Sequence, residues 1–177
     1  ELLLIFDKVT GDYSGREIEE MKAHDVAIKM ITELATDTER DLTESFIRQL
    51  NKIILVRPFW KEAETQSGGQ TRKEIIPGEY KKLPNNVKLE NGENFLFAKP
   101  EETPALMNDF IQEYKINAAS SEVHSLWLAA TIHYNFVRIH PFDDGNGRVA
   151  RLIMNYVLLK NNLPPAIIKS NDKKAYL

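Results

Sequence analysis

Apolar residues recur at intervals of three and four along much of the chain, which is the periodicity of amphipathic α-helices. One such pattern follows the turn-like stretch Thr10–Gly15 and runs from Ile18 to Leu34. The pattern as a whole predicts five helices. They cover about residues 18–34, 41–57, 104 onward, 121–137 and 146–160.

The second predicted helix opens on Asp41–Glu44, the stretch DLTE, which resembles a capping box. Pro58 should end this helix, because the residue before a proline is pushed out of the helical conformation. The apolar residues between these two signals share one side of a helix. This inner face is predicted to carry Phe46, Ile47, Leu50, Ile53 and Ile54.

The last two predicted helices differ in how much of their circumference is apolar. Residues 146–160 are apolar on most sides, as expected of a helix that is surrounded by others. The helix over 121–137 is predicted to bury one side only. That side is made of Val123, Leu126, Trp127, Ala130, Tyr134 and Val137.

Between the second and third helices the helical periodicity is lost. Residues 61–84 are polar and interrupted by glycine and proline, which predicts a loop. Residues 87–97 contain two short apolar runs around Asn91-Gly92, a pair that favours the positive φ angles of a tight hairpin turn. The sequence therefore predicts a mostly α fold with one β-hairpin and a buried central helix.

Composition narrows the class of protein. The chain has 177 residues, 42% of them apolar, which is enough for one substantial core. Its net charge of -3 gives no sign of general nucleic-acid or membrane-surface binding. It contains no cysteine, which fits the reducing cytoplasm that we expect as its location. It starts without methionine inside an apolar run, so we expect it to be part of a longer protein.

The stretch HPFDDGNGRVAR, residues 140–151, combines several features of an anion site. Gly145 and Gly147 flank Asn146, so the backbone can approach a ligand closely. The first N–H groups of the following helix have no partner within that helix. Arg148 and Arg151 share one face of its first turns, where cations oppose the helix dipole. This arrangement predicts a bound di- or triphosphate.

Two further residues of the stretch could supply chemistry. Asp144 adjoins the glycines, and a carboxylate beside bound phosphates is the usual protein contribution to a magnesium site. His140 precedes Pro141 and could act as a general base near neutral pH. Phe142 is expected to anchor the loop in the core.

Each feature also has a plain structural interpretation. A histidine before a proline often caps a helix, and a Gly-Asn-Gly stretch can be a simple turn. Arg148 and Arg151 could form surface ion pairs with carboxylates such as Asp143. The conjunction of all these features at one helix start favours a phosphate-binding catalytic loop.

The same stretch resembles the signature of the Fic family, HxFx(D/E)GNGRxxR, at every fixed position. The resemblance extends to residues 124–142 and 151–168, and to the hairpin, which lies where that family keeps its substrate-binding flap. It implies a Fic-type helical domain with one β-hairpin flap, with residues 1–177 forming a single domain.

Most Fic proteins transfer AMP from ATP to a Ser, Thr or Tyr hydroxyl of a target protein. The resemblance therefore implies that ATP is the substrate and that a protein with a hydroxyl side chain is the partner. It assigns to His140 the removal of the hydroxyl proton. It assigns to Asp144 the Mg²⁺ ion that bridges the α- and β-phosphates.

The remaining residues of the signature would hold the phosphates. Asn146, with the backbone of Gly145 and Gly147, is implied to orient the α-phosphate and its transition state. Arg148 and Arg151 are implied to grip the β- and γ-phosphates of the leaving pyrophosphate.

Two assignments lie outside the signature. The flap residues Val87, Lys88 and Leu89 would clamp the target backbone as an added strand, although an ordinary surface hairpin is the alternative. Tyr176 is implied to lie near the adenine, and Lys173 stands where many relatives have an arginine. His124 and His133, on the helix before the signature, are expected to be core or supporting residues.

Regulation and the exact reaction stay open at this point. The inhibitory motif (S/T)xxxE(G/N) of many Fic proteins is absent from these residues, and we expect it upstream of Glu1. A Doc-like kinase is an alternative, although in that branch a lysine stands in the place of Gly147. Transfer of UMP or phosphocholine and a catalytically silent interaction module are further alternatives. A homodimer is one assembly that we consider.

Overall fold

The computed structural model describes residues 15–64, 69–88 and 94–167. Its helices are α1 (Gly15–Thr36), α2 (Glu44–Leu55), α3 (Thr103–Ala119), α4 (Ser125–Ile139) and α5 (Asn146–Lys160). Its strands are β1 (Phe59–Glu64), β2 (Gln70–Ile75), β3 (Asn86–Lys88) and β4 (Asn94–Leu96). The predicted mostly helical class is confirmed. No helix within the described ranges is long and apolar enough to cross a membrane.

Helix α5 lies at the centre of the molecule and packs against α1, α2 and α4. Its side chains are buried around most of its circumference, so the prediction of a helix surrounded by others is confirmed. The buried apolar residues are Val149, Ala150, Leu152, Ile153, Tyr156, Val157 and Leu158. Because α5 is fixed on several sides, its N-terminus is a rigid point on which a site can be built.

Helix α2 has the predicted inner face but a different cap. The N-cap is Thr43, whose side chain accepts a hydrogen bond from the N–H of Phe46 at 3.1 Å. The expectation that Asp41 opens the helix is wrong. The Asp41 carboxylate instead accepts hydrogen bonds from the hydroxyls of Tyr114 and Tyr156, at 2.9 and 2.7 Å. It therefore ties the start of α2 to α3 and α5.

Helix α4 buries a different side from the predicted one. Leu126, Trp127 and Tyr134 were expected inside but are each more than half exposed. The buried residues are Leu128, Ala129, Ile132 and Phe136. Apolar residues occupy more than one side of this helix, so periodicity alone does not select a face. Packing against α3 and α5 makes that selection.

A second hairpin occupies part of the stretch that was predicted to be a loop. Strands β1 and β2 pair in antiparallel register from Phe59 opposite Ile75 to Glu64 opposite Gln70. The loop prediction is wrong here because charged residues fill both faces of the strands and hide the alternation of a half-buried strand. Ile75 is buried, so this end of the hairpin is anchored in the core.

The predicted hairpin is present as the short antiparallel pair β3–β4, with Val87 opposite Phe95. Its predicted turn, Asn91-Gly92, and the flap residue Leu89 lie outside the described residues, as does Tyr176. The chain thus has two separate two-stranded sheets among its described residues, not one hairpin.

Candidate active site

The loop between α4 and α5, together with the first turns of α5, carries most of the predicted site residues. Helix α4 ends at Ile139, and its C-cap His140 adopts the left-handed conformation with φ 51° and ψ 58° and donates its backbone N–H to the carbonyl of Phe136. Pro141 follows and cannot continue the helix. Helix α5 begins after Gly145, its N-cap, with φ 81°. The chain thus reverses within five residues and leaves the start of α5 beside the end of α4.

The side chain of Asn146 holds this loop closed. Its Oδ1 accepts the backbone N–H of Phe142 at 2.9 Å, and its Nδ2 donates to the Phe142 carbonyl at 2.7 Å. Asn146 is 3% exposed, and Phe142 is buried against Phe136 and Tyr80, as expected of an anchor. Both polar atoms of the Asn146 amide are thus bonded within the loop. The group that this residue can turn toward a phosphate is its backbone N–H.

The two glycines have different structural roles. A Cβ on Gly145 would lie 3.0 Å from Nδ2 of Asn51 and 3.3 Å from Cδ1 of Ile54, and its positive φ favours glycine in any case. Gly147 has an ordinary helical conformation, and a Cβ there would meet Nη1 of Arg151 at 3.6 Å. The expectation of special backbone freedom is correct for Gly145 and wrong for Gly147. Glycine at 147 instead leaves open the space beside a guanidinium.

Asn51 is a supporting residue that sequence reasoning missed. It lies on the buried face of α2, 1% exposed, and donates from Nδ2 to the carbonyl of Asp144 at 2.9 Å. Its Oδ1 accepts the N–H of Gly78 at 2.8 Å. A buried amide among apolar neighbours needs partners, so a polar residue within the apolar face of α2 was the available signal.

The His140 ring is oriented from two sides. It stacks on Phe97, with ring centroids 3.8 Å apart and the planes 19° apart. Its Nδ1 lies 3.3 Å from the carbonyl of Val137, which can only accept, so Nδ1 carries the proton and Nε2 keeps its lone pair. Burial lowers the pKa of His140 to about 4, so the imidazole is neutral at pH 7. This is the form that a general base requires.

Lys81 places a second buried group beside this ring. Its Nζ donates to the carbonyl of Ile139 at 3.0 Å, and its backbone N–H donates to the carbonyl of Pro141 at 2.8 Å. Burial lowers the pKa of Lys81 to about 8. The ammonium therefore satisfies the last carbonyl of α4, that of Ile139, and its charge also disfavours protonation of His140.

The Asp144 carboxylate accepts hydrogen bonds from two donors and has one further cation nearby. Lys61 of β1 donates to Oδ2 at 2.9 Å, the N–H of Gly145 donates to Oδ1 at 2.6 Å, and Arg148 lies 3.9 Å away. Burial raises the pKa of Asp144, but the hydrogen bonds and charges of these donors outweigh it and lower the pKa overall. Asp144 is therefore a carboxylate at neutral pH. Lys61 was not predicted to belong to the site.

The neighbouring carboxylate, Asp143, is paired with the other strand of the same hairpin. Its Oδ1 accepts a hydrogen bond from Nζ of Lys73 on β2. Lys61 and Lys73 are directly opposite each other in the β1–β2 register, an arrangement that is destabilising for like charges. The two consecutive aspartates offset this repulsion, so the hairpin is attached to the loop through matched charges.

Arg148 contacts a carboxylate of α1. Its Nη1 lies 2.6 Å from Oε2 of Glu20, and Glu20 also pairs with Arg16 at 2.8 Å. The alternative of an ion pair is therefore realised, although with Glu20 and not with Asp143. Glu20 places two negatively charged oxygens beside a guanidinium that was predicted to bind phosphate.

Arg151 lies one turn further along α5, next to two imidazoles. Its charge, after burial, is a main cause of the lowered pKa of His24 and of His133. His133 is half-buried, and its expected supporting role stays a prediction. His124 is instead an exposed N-cap of α4 that accepts the N–H of Leu126 at 3.2 Å, so its placement in the core was wrong.

The donor set limits what metal the site could hold. Within the described ranges no group of three or more carboxylate or imidazole side chains could bind an ion by itself. Asp144 offers a carboxylate next to the N-cap of α5. A single carboxylate fits a Mg²⁺ ion that arrives with phosphates and water as its other ligands.

Comparison with known proteins agrees with this geometry. A sequence model of the Fic/DOC family matches residues 41–158. Proteins called protein adenylyltransferase Fic from Nematostella vectensis and Drosophila willistoni are 42% and 40% identical over 77 residues, 44% of this chain. The chain spans only 18% and 15% of the length of these relatives.

Solved structures share the fold over more of the chain. A Fic domain-containing signalling protein from Bacteroides thetaiotaomicron is 46% identical with a TM-score of 0.85, covering 99% of this chain and 60% of that one. IbpAFic2, whose structure was solved covalently tethered to Cdc42, is 26% identical with a TM-score of 0.55. That match covers 88% of this chain and 44% of IbpAFic2.

Proposed function

Because this chain belongs to the Fic/DOC family, we propose that it is a protein adenylyltransferase that moves AMP from Mg·ATP to a Ser, Thr or Tyr hydroxyl of a target protein. One observation carries the proposal. A single loop carries the neutral imidazole of His140 at one end and, at the other, the N-terminus of α5, which receives no side-chain cap from its N-cap Gly145.

His140 would perform the proton transfer. Its Nδ1 is committed to the Val137 carbonyl and its ring is fixed on Phe97, so Nε2 is the atom that can accept the hydroxyl proton. The hydroxyl oxygen then forms a bond to the α-phosphorus, and the bond from that phosphorus to the bridging oxygen of pyrophosphate breaks. The neutral state of the ring at pH 7 means that this base needs no prior deprotonation.

The start of α5 would bind the phosphates. The backbone N–H groups of Asn146 and Gly147 have no acceptor within the helix, and Arg148 and Arg151 follow on the same face. Asp144 would hold the Mg²⁺ ion of the substrate Mg·ATP. The role predicted for Asn146 is thereby moved from its side chain to its backbone, with the side chain keeping the loop closed.

The hairpin β3–β4 would receive the target protein. It has only two strands, so each has an edge that is free of strand partners among the described residues, and an extended segment of a target can add to such an edge. The structure of IbpAFic2 tethered to Cdc42 supports a protein as substrate. Val87 and Lys88 belong to β3, and with Leu89 they remain the proposed clamp.

The remaining proposals concern the setting of this domain. The chain covers a small part of the length of its curated relatives. Residues 1–177 are proposed to form one Fic domain. The inhibitory motif is proposed to lie upstream of it. Tyr176 is proposed to contact the adenine. The cytoplasm as location and a homodimer remain predictions.

Labelled ATP tests the reaction. The chain is incubated with Mg²⁺ and a lysate, with ATP labelled either at the α- or at the γ-phosphate, and protein-bound label is measured. We expect α-label on protein with the wild-type chain and none with His140→Ala. Protein-bound γ-label would indicate a kinase instead, and no label from either nucleotide would favour a non-enzymatic interaction module.

A further inference from the structure

The ion pair between Lys61 and Asp144 has a consequence for how the site accepts its substrate. Asp144 has two carboxylate oxygens, and Oδ1 is already bonded to the N–H of Gly145. Lys61 occupies the second oxygen at 2.9 Å. Both oxygens of Asp144 thus have a hydrogen-bond partner within the protein, and the partner of Oδ2 is an ammonium group.

An ammonium and a divalent cation cannot share this oxygen. Two positive charges within about 3 Å of one atom repel each other strongly, and a single carboxylate does not neutralise both. Lys61 can leave without disturbing the fold, because its side chain is 55% exposed and reaches the site from a strand surface. Moving the Lys61 ammonium away from Asp144 costs little free energy, as expected of an ion pair with a solvent-exposed partner.

Lys73, on the same hairpin, forms an ion pair that is less exposed to solvent than the Lys61–Asp144 pair. It is the cross-strand neighbour of Lys61 and binds Asp143, the residue next to Asp144. Its side chain is only 19% exposed and that of Asp143 is 13% exposed. This pair is shielded from water and attaches the hairpin, whereas the Lys61 pair lies at the open side of the site.

We propose, on the basis of the proposed function, that Lys61 is the built-in counter-ion of Asp144 and is displaced when Mg·ATP binds. Lys61 neutralises the carboxylate in the metal-free state and so allows the anionic nucleotide to approach. It also competes with Mg²⁺ for Oδ2. Lys61 thereby sets how strongly nucleotide affinity depends on the metal.

Calorimetric titration with AMP-PNP tests this proposal. All variants carry His140→Ala, so that no AMP is transferred, and the Kd is measured with Mg²⁺ and with EDTA. The ratio of the EDTA value to the Mg²⁺ value reports the coupling between metal and nucleotide. We expect Lys61→Met to raise this ratio by about two- to five-fold, the range given by a partly exposed ion pair.

Two controls make the result specific. Lys73→Met changes the matched lysine of the same hairpin and should leave the ratio within about 1.5-fold of its starting value, because Asp143 does not offer the metal position. Asp144→Asn should bring the ratio close to one, and adding Lys61→Met to it should have no further effect. That result would separate competition at Asp144 from a loosened hairpin.

The outcomes that overturn the inference differ from those that overturn the proposed function. If AMP-PNP binds but Lys61→Met leaves the ratio unchanged or lowers it, the counter-ion role is wrong and the proposed function stands. The same holds if Lys73→Met raises the ratio equally. If AMP-PNP fails to bind both in the presence of Mg²⁺ and in the presence of EDTA, both proposals are wrong.

Discussion

The loop between α4 and α5 and the charged side chains that surround it are held by different kinds of interaction. The loop is fixed by buried hydrogen bonds from Asn146 to Phe142 and from Asn51 to Asp144, and both asparagines are at most 3% exposed. The charged layer is held by ion pairs, such as Lys61–Asp144, whose side chains are 55% and 26% exposed.

This difference separates what must stay from what a ligand can replace. Leaving a buried polar group without its partner costs about 1–3 kcal/mol, whereas an exposed ion pair contributes about 0–1 kcal/mol. Replacement of Lys61 on Asp144 by the proposed Mg²⁺ ion would therefore cost little and would leave the loop undisturbed. The Glu20–Arg148 pair, whose side chains are 17% and 28% exposed, is more shielded from water than the Lys61–Asp144 pair. The site is a rigid backbone that carries exchangeable charges.

The largest expected effect is on catalysis and comes from His140→Ala. We expect AMP transfer to fall by about 10²- to 10⁴-fold, the usual contribution of a general base. The Kd of AMP-PNP should change by less than about two-fold, because the phosphate-binding amides belong to α5. Transfer rate and calorimetric Kd measured on one preparation provide the check. Retained transfer would exclude His140 as the base.

The rigidity of the loop can be broken at Asn146. Asn146→Ala leaves the N–H of buried Phe142 without a partner, whereas the Phe142 carbonyl still accepts a hydrogen bond from Nδ2 of Asn85. The free energy of unfolding should therefore fall by about 1–3 kcal/mol. Urea denaturation measures this change. Asn155 on the same helix binds the N–H and the carbonyl of Ala166 in the same way, but these hydrogen bonds are solvent-exposed, and Asn155→Ala should cost less than about 1 kcal/mol. Equal losses would contradict the role of burial.

The two glycines sharpen the comparison, because replacing each by alanine should change the free energy of unfolding in opposite directions. Gly145→Ala places a side chain at φ 81° and against Asn51, and should reduce the free energy of unfolding by about 1–3 kcal/mol. Gly147→Ala lies in an ordinary helical turn and should raise it by up to about 1 kcal/mol. Thermal and urea denaturation of both variants measure the signs. A loss at Gly147 as large as that at Gly145 would be inconsistent with this structure.

The smallest expected effect is that of pH between 6 and 8. A histidine with an ordinary pKa of about 6.5 would be only about one quarter neutral at pH 6.0, which would lower the transfer rate about four-fold. With its pKa lowered to about 4 by burial, His140 stays neutral over this range and loses its base form only as the pH falls toward 4. Single-turnover rates at saturating Mg·ATP should therefore be nearly equal at pH 6.0 and 8.0. A four-fold lower rate at pH 6.0 than at pH 8.0 would contradict the buried imidazole.

Local patterns were sufficient for much of the molecule. The five helices could be predicted because apolar periodicity and Gly, Pro and Asn breaks are short-range signals, and the residues of 140–151 could be singled out because the helix start, the glycines and the arginines are adjacent in the chain. His140 and the start of α5 are close together in the sequence, so their proximity could be predicted without the tertiary structure.

Tertiary structure decided everything that depends on which surfaces meet. Several features depend on contacts between residues that are distant in sequence, or on a choice between equivalent faces of a helix. They are the outward side of α4, the cap at Thr43, the Asn51 bridge, the partner of Arg148 and the attachment of Lys61. Periodicity gives a helix an apolar surface but not its neighbour, and a charged side chain has many candidate partners. The sequence by itself determined which chemical groups the loop carries. Packing determined which charged side chains contact those groups before a substrate binds.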